Sequence, residues 1–192
     1  EMLAEKYITP MRIGEINSAA YDTSGITLLP NGQFNHHEVE MAFEGHGRKT
    51  ASIVADVMHN ARNLVGGVML FAATIQHAHE IMASLPPENS AVVTGEDCFM
   101  MGRKATRSEV VEAYRAKRFR YLVSVGTLTT GFDVAHTSII ALLRFTESAA
   151  LLLQILGRAW RLDDNKLFAL LLDYAGNVEK HFPDGDIYNP NI

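Results

Sequence analysis

The stretch Tyr121–Asp133, YLVSVGTLTTGFD, decides the fold, together with the later stretch Gln154–Arg161, QILGRAWR. The first begins with an apolar run that predicts a buried strand, and it continues as a Thr/Gly loop that ends on a carboxylate. The second predicts a helix in which Arg158 and Arg161 are three residues apart, so that both guanidinium groups point from one face. A Thr/Gly loop with an acid, close to paired arginines, suits a nucleoside triphosphate and a phosphate backbone.

Apolar runs alternate with segments of helical periodicity along the rest of the chain. Strands are predicted at 68–72, 91–94, 121–125, 138–143 and 168–172, and helices at 75–85, 103–117 and 148–160. This alternation predicts an α/β domain of three layers, with a mostly parallel sheet between two layers of helices.

The sequence before the first buried strand has a different character. Residues 1–34 show short extended pieces broken by turn residues, Asn35 is expected to cap a short helix with Glu38 at the capping-box position, and a helix is predicted at 49–64. We therefore expect an inter-domain connector at 1–64, the α/β domain at 65–178 and a C-terminal tail at 179–192.

Composition restricts the class of protein. The 192 residues have a net charge of −5 and one cysteine, Cys98, which excludes a disulfide within the chain and a Cys-rich zinc module. No apolar run reaches the ~18 residues that span a bilayer, and no signal peptide is recognisable, so we expect a cytoplasmic protein with no membrane partner. Because the sequence begins with Glu1, we expect it to be a fragment of a longer protein.

Basic residues are concentrated in one part of this acidic chain. Seven of them lie between residues 103 and 120, namely Arg103, Lys104, Arg107, Arg115, Lys117, Arg118 and Arg120. Such a run can hold phosphates even on a chain that is acidic overall. The alternative, which we favour for a charge run alone, is a solvated helix face.

Polar residues follow several predicted strands, where an open parallel sheet binds its ligands. They are Thr74, Thr94 and Gly95, the loop from Thr127 to Asp133, and Asp173. Thr74 also opens a helix, whose free N–H groups suit a phosphate. Any single one of these residues is more simply an ordinary cap or turn, but several along one edge predict a binding rim.

The arginines carry the strongest chemical signal. Arg158 and Arg161 can neutralise the charge that develops on a γ-phosphoryl group, and Gly157, which costs ~1 kcal/mol inside a helix, would allow a ligand to approach closely. The chain has no G-x-x-x-x-G-K-[ST] loop and no acidic cluster for magnesium. The arginines must therefore act on a nucleotide that is bound elsewhere.

The histidine spacing gives no support for a metal site. The close pairs His36/His37 and His77/His79 lack the i, i+4 spacing of zinc helices. We interpret these histidines as surface residues or residues of a first helical turn, and we expect no metal ligands in this chain.

These segments, in this order, resemble the second RecA-like domain of superfamily-2 helicases. Leu128–Asp133 resembles motif V, Gln154–Arg161 motif VI and Gly67–Glu80 motif IV. Ile140–Ser148 and Leu172–Asn177 further resemble the bacterial RadD-type branch of DEAD/DEAH-box proteins, which is linked to DNA repair, and residues 7–64 are similar to the connector between its two motor domains.

The resemblance implies roles for individual residues. Catalytic roles fall on Arg161, Arg158 and Gln154, and ATP contacts on Gly131, Asp133 and Gly157, with Mg²⁺ and most of the ATP held by a first RecA-like domain. Nucleic-acid contacts fall on Thr74, Thr94, Gly95, Arg107, Thr127, Thr129 and Thr130. Val125 stands where many helicases have a phosphate-binding Thr, and Thr127 is its expected replacement.

The leading hypothesis is therefore the C-terminal motor domain of an ATP-dependent DNA helicase or translocase, inactive as a fragment. Its expected partners are single-stranded or forked DNA, its own first domain and repair proteins, in a bacterial cytoplasm and at the nucleoid. The alternatives are a non-motor α/β binding module, an RNA helicase, and a restriction-enzyme translocase.

Overall fold

A computed structural model describes residues 8–126 and 134–188 of the chain. Within this part, eight strands form one sheet in the order β1-β8-β7-β2-β6-β3-β4-β5. The strands are β1 Met11–Ile13, β2 Gly67–Ala72, β3 Ser90–Val93, β4 Cys98–Met100, β5 Arg103–Ala105, β6 Tyr121–Val125, β7 Thr137–Leu143 and β8 Ala169–Asp173. The first six strands in this order, which are β1, β8, β7, β2, β6 and β3, are all parallel to one another. Strand β4 is antiparallel to both of its neighbours, β3 and β5.

The helices cover both faces of this sheet. They are α1 His36–Phe43, α2 Gly47–Ala61, α3 Ile75–Met82, α4 Arg107–Arg115, α5 Ala149–Leu156 and α6 Asn177–His181, with a 3₁₀ turn at Pro87–Asn89. Buried residues of α2 and α3 belong to one apolar cluster, and those of α4 and α5 belong to another. The described part is thus a three-layer α/β domain, as predicted.

Successive side chains of each central strand point to opposite faces of the sheet, so each strand contributes residues to both apolar clusters. In β2, Val68 and Leu70 face the α2/α3 cluster while Met69 and Phe71 face the α4/α5 cluster. All six residues of β2 are buried. Because both faces are covered, the strand is a continuous apolar run, and the sequence predicts it almost to the residue.

One predicted helix is wrong in its first turn. The sequence predicts a helix at 103–117, but Arg103–Ala105 is an edge strand that pairs with Cys98–Met100. Met101 and Gly102 form the connecting turn with φ values of 52° and 78°, a two-residue hairpin geometry. The helix begins only at Arg107, where Thr106 and Glu109 form a reciprocal capping box.

The segment predicted as a connector packs against the domain. Met11–Ile13 forms β1 and pairs with β8, and Tyr21 and Phe43 are buried in the α2/α3 cluster. Asn35 caps α1 as predicted, whereas the carboxylate of Glu38 accepts its bond from the Thr27 amide instead. The boundaries at 64–65 and 178–179 remain predictions. Over the described ranges, no helix has the length and apolar character needed to cross a membrane.

Candidate functional site

The carboxyl ends of the parallel strands lie along one edge of the sheet. Ala72 of β2 is in register with Val125 of β6 and Leu143 of β7, and Val93 of β3 is in register with Ser124. The residues that follow these strands therefore lie along the same edge, which we call the rim. It includes Thr74, Thr94, Gly95 and Asp173.

The hydroxyl group of Thr74 both donates and accepts a hydrogen bond within the domain. As the N-cap of α3 it accepts a hydrogen bond from the His77 amide at 3.0 Å, and it donates one to Oε1 of Glu44 at 2.5 Å. A carboxylate thus lies at the helix N-terminus, where the sequence predicts a phosphate. An incoming phosphate has to compete with Glu44 for this hydroxyl group.

Thr94 holds a tight turn between β3 and β4. Its hydroxyl accepts from the Glu96 and Asp97 amides at 3.1 and 2.9 Å and donates to the Asp97 carbonyl. Gly95 is exposed, and a Cβ placed on it meets no atom within 4 Å. At this turn, the backbone of Gly95 is therefore better placed to meet a ligand than the Thr94 side chain.

Arg107 lies at the same edge as Gly95. Strand β5 runs in the same direction as β3, because both are antiparallel to β4. The residues that follow β5 therefore reach the rim, and Arg107 is the exposed first residue of α4 there. Nearby, the ammonium group of Lys104 pairs with Asp97 at 2.7 Å.

The two arginines do not lie within a helix. Helix α5 ends at Leu156 with Gly157 as its C-cap, and the Arg158 and Ala159 amides then donate three residues back in a tighter turn. The prediction of a helix to residue 160, with both guanidinium groups on one helical face, is wrong in this respect. The helix end also gives Gly157 a structural role, and a Cβ there would lie 3.3 Å from the Leu153 carbonyl oxygen.

Three side chains fix the turn that follows α5. The ammonium group of Lys166 donates to the carbonyl oxygens of Ala135, Thr137 and Ala159 at 2.7, 3.2 and 2.9 Å. Burial lowers the pKa of Lys166 to about 8. The hydroxyl group of Thr9 donates to the Arg161 carbonyl oxygen at 2.8 Å, and the ring of Tyr188 stacks on Trp160 at 5.7 Å.

The arginine turn and the rim lie at different ends of β7. Lys166 ties Ala159 to the carbonyl oxygens of Ala135 and Thr137, where β7 begins. The rim lies at the other end, after Leu143. Gln154 is exposed in the last turn of α5, which runs from the side of the rim towards the arginine turn. The rim and the arginine turn are therefore two separate surfaces of the domain.

Asp173 proves to be a structural residue within the rim. Its carboxylate accepts hydrogen bonds from the Val178 and Ala175 amides at 2.7 and 3.2 Å and from the Asn177 side chain at 3.0 Å. It thereby holds the first turn of α6 against the end of β8.

The structure brings together an aromatic pair at the rim that could not be predicted from the sequence. Phe34 and Phe145 stack at 5.4 Å, and the ammonium group of Lys180 lies 4.2 Å from the Phe145 ring centre. Phe34 and Phe145 border a cleft of about 420 Å³, which is also lined by Thr74 and by the ion pair of Arg144 and Glu147 at 3.1 Å. No local motif joins Phe34 to Phe145, because they come from distant parts of the chain.

His77 is buried rather than a surface residue, although it does lie in the first turn of α3. Its Nε2 is 2.9 Å from the Tyr21 hydroxyl, and its Nδ1 accepts from the Ala73 amide at 3.2 Å. Burial lowers the pKa of His77 to about 3 and raises the pKa of Tyr21 to about 12. In the described ranges, no group of three His, Cys, Asp or Glu residues is placed to hold a metal ion.

Of the seven basic residues between 103 and 120, Arg120 is partly buried and the other six are exposed. The guanidinium group of Arg120 donates to the carbonyl oxygens of Ala61, Leu64 and Gly66, so it holds the chain before β2. Arg103, Lys104, Arg107, Arg115, Lys117 and Arg118 are exposed. The exposed six leave both interpretations of the run, a phosphate patch and a solvated face, in place.

Five predicted site residues lie outside the described ranges. They are Thr127, Thr129, Thr130, Gly131 and Asp133. Their roles remain as the resemblance implies them.

Comparisons with known proteins identify the family. The model of the helicase conserved C-terminal domain matches residues 49–163. A fragment of a putative HsdR subunit of a type I restriction enzyme from Vibrio vulnificus YJ016 is 21% identical with a TM-score of 0.68, over 100% of this chain and 37% of that one. A comparison with curated protein sequences finds no match.

Two further solved structures share the fold. The Type ISP restriction-modification enzyme LlaBIII bound to DNA is 12% identical with a TM-score of 0.55, over 91% of this chain and 12% of that one. Domain 2 of the DEAD-box helicase Mss116p bound to an RNA duplex is 14% identical with a TM-score of 0.52, over 67% and 50%. The chain thus has an α/β RecA-like fold, and it spans half or less of each of these three proteins.

Proposed function

Because the chain belongs to the family of helicase conserved C-terminal domains, we propose that it is the second motor domain of an ATP-dependent DNA helicase or translocase of RadD type. A first RecA-like domain holds ATP and Mg²⁺, and this domain supplies Arg158 and Arg161 to the γ-phosphate. Repair proteins are further partners, and the protein works in the bacterial cytoplasm at the nucleoid.

One observation carries the proposal. Lys166 bonds to the carbonyl oxygens of both Ala135 and Ala159, at 2.7 and 2.9 Å. Ala159 lies between the two arginines, and Ala135 lies just before the start of β7, so one ammonium group links the arginine turn to the start of β7. This link supports the proposal because it fixes the turn that carries Arg158 and Arg161 to the body of the domain.

The positive charge of the two arginines suits the γ-phosphate of ATP. ATP hydrolysis builds negative charge on the oxygens of the transferred phosphoryl group, and an arginine finger can contribute 10³–10⁵-fold in rate, on the order of 4–7 kcal/mol. Arg161 is exposed and Arg158 half-buried. Both arginines lie just past the end of α5, a position that suits side chains that reach across a domain interface. Gln154, one turn earlier, is proposed to link the nucleotide to the nucleic acid.

The rim is proposed to hold one nucleic-acid strand by its backbone. The Gly95 backbone, the Thr74 helix terminus and Arg107 offer amides and positive charge to phosphates. Contacts of this kind predict weak sequence preference and strong salt dependence. The related structures include one bound to DNA and one bound to an RNA duplex, so an RNA helicase and a restriction-type translocase remain the alternatives.

The proposal is tested by ATP turnover of the full-length protein without nucleic acid and with single-stranded DNA, forked DNA and single-stranded RNA. We expect single-stranded or forked DNA to stimulate turnover at least about tenfold and RNA to stimulate it weakly. Stimulation by RNA alone would favour the RNA helicase, and turnover absent under all conditions would favour a non-motor binding module.

The isolated 192-residue chain is a second test. We expect it to fold and to hydrolyse no ATP, because the phosphate-binding loop and magnesium ligands come from the first domain. Turnover that persists in the Arg158→Ala/Arg161→Ala double variant after repurification would contradict this division of roles.

A further inference from the structure

We propose that Thr9 is a positioning residue for Arg161, an inference that rests on the proposed function. Two hydrogen bonds carry it. The Thr9 amide donates to the Trp160 carbonyl oxygen at 2.7 Å, and the Thr9 hydroxyl donates to the Arg161 carbonyl oxygen at 2.8 Å.

These two bonds act on both sides of one α-carbon. The Trp160 carbonyl belongs to the peptide unit that precedes the Arg161 α-carbon, and the Arg161 carbonyl belongs to the unit that follows it. Because each peptide unit is planar, the φ and ψ angles of Arg161 between them determine the direction in which its side chain leaves the backbone. Holding both units restricts these torsions and fixes the direction of the Cα–Cβ bond of Arg161.

Thr9 is itself firmly held. It is 1% exposed, and Pro10 after it favours an extended backbone at Thr9. The Pro10 carbonyl accepts from the Ala169 amide at 2.8 Å, and Met11 pairs with Ala169 in the sheet. The bonds to Trp160 and Arg161 therefore come from a buried residue that lies directly before the edge strand of the sheet.

Tyr188, near the C-terminal end of the described chain, also contacts the residues around Arg161. The Tyr188 ring stacks on Trp160 with an angle of 23° between the planes, and its hydroxyl accepts from the Met11 amide at 2.5 Å. Segments from both ends of the described chain thus converge on the residue before Arg161.

Such anchoring matters for a long side chain that must meet a reacting group. Electrostatic stabilisation of a transition state depends on a charge that is already in place, and a misplacement of about 1 Å can cost on the order of 10²-fold in rate. Because Thr9 acts on the backbone, it should affect the chemical step more than ATP binding.

The test uses the full-length protein with ATP and saturating single-stranded DNA. Thr9→Val removes the hydroxyl and keeps the shape and the amide, and Thr9→Ser restores a hydroxyl. We expect Thr9→Val to lower kcat about 3- to 10-fold with KM for ATP nearly unchanged, and Thr9→Ser to stay near wild type. If Thr9→Val does not fold, Thr9→Ala is the second variant without the hydroxyl.

A matched control and a double variant separate positioning from general loosening. Thr23 also donates from its hydroxyl to a carbonyl oxygen, that of Ala175 at 3.3 Å, and Thr23→Val should leave kcat unchanged. In an Arg161→Ala background, Thr9→Val should cause no further loss, because its effect passes through Arg161.

The outcomes distinguish the two proposals. Wild-type kcat in Thr9→Val, an equal loss in Thr23→Val, or a further loss on top of Arg161→Ala would overturn the positioning role alone. Turnover unchanged in Arg161→Ala itself would overturn the proposed function on which it rests.

Discussion

The side-chain oxygen of Asn177 accepts two hydrogen bonds from Thr146, one from its amide at 2.7 Å and one from its hydroxyl at 2.8 Å. Both residues are fully buried. The Asn177 amide group donates in turn to the Arg144 carbonyl and to the Asp173 carboxylate at 2.8 and 3.0 Å. One side chain thus fixes the loop between β7 and α5, which carries Phe145 and leads towards the arginines.

We predict that Asn177→Ala lowers the free energy of unfolding by about 2–4 kcal/mol, because it leaves several buried polar groups without partners. Urea denaturation measures this loss, and hydrogen exchange at the Thr146 amide should accelerate. The control is Asn63→Ala, at an exposed position, which should change stability by less than about 0.5 kcal/mol. Equal stabilities of the two variants would refute the structural role of Asn177.

Lys166→Met is predicted to weaken the link between the start of β7 and the arginine turn. Three carbonyl oxygens lose their shared donor, and we expect a loss of about 1–3 kcal/mol in unfolding free energy, together with lower ATP turnover in the full-length protein. Lys104→Met is the control, since Lys104 is an exposed partner of Asp97 and surface pairs contribute little. Unchanged stability and turnover in Lys166→Met would show that Lys166 does not hold the arginine turn.

Stability should fall on mild acidification because of His77. Its pKa is about 3 in the folded state and about 6.5 when unfolded. The folded chain therefore binds fewer protons between these values, so its stability is present above pH ~6.5 and declines as pH falls towards ~3. Between pH ~6.5 and ~4.5 we expect a loss of about 2–3 kcal/mol, measured by urea denaturation at each pH.

The control for this pH dependence compares two histidines. His77→Gln should flatten the acid limb of the stability profile, whereas His36→Gln should retain it, because His36 is exposed beside Glu40. A profile of His77→Gln that parallels the wild type would assign the acid sensitivity to other groups.

Gly67→Ala should be much more costly than Gly95→Ala. A Cβ on Gly67 would lie 2.1 Å from the hydroxyl oxygen of the buried Tyr114, so overpacking should cost about 2–3 kcal/mol. A Cβ on Gly95 meets nothing within 4 Å, and we expect a change within about 0.5 kcal/mol. Thermal denaturation of both variants measures the difference, and a stable Gly67→Ala would mean that Tyr114 can move aside.

The buried strands could be predicted from sequence because their pattern is local. Tyr121–Val125 forms a strand with the predicted bounds, since it is covered on both faces and its apolar run is continuous. The edge strand Arg103–Ala105 is charged and exposed, so its pattern resembled the start of a helix. The turn at Met101 and Gly102, rather than hydrophobic periodicity, decides its structure.

The site residues stay predictions from the sequence, and the contacts around the arginine turn could not be predicted from it. The order of the Thr/Gly loop and the arginines was visible along the chain. The partners that fix them were not, because Thr9, Lys166 and Tyr188 reach the arginine turn only through the sheet and its helices. Glu44 likewise reaches Thr74 through tertiary packing.

The decisive measurement is the steady-state ATP turnover of the full-length protein with single-stranded DNA, compared between wild type, Arg161→Ala and the exposed control Arg115→Ala. We predict that Arg161→Ala lowers kcat by about 10³-fold, while Arg115→Ala stays within about threefold of wild type. DNA-stimulated turnover that Arg161→Ala leaves intact would contradict the proposal that this domain acts on ATP through its arginines.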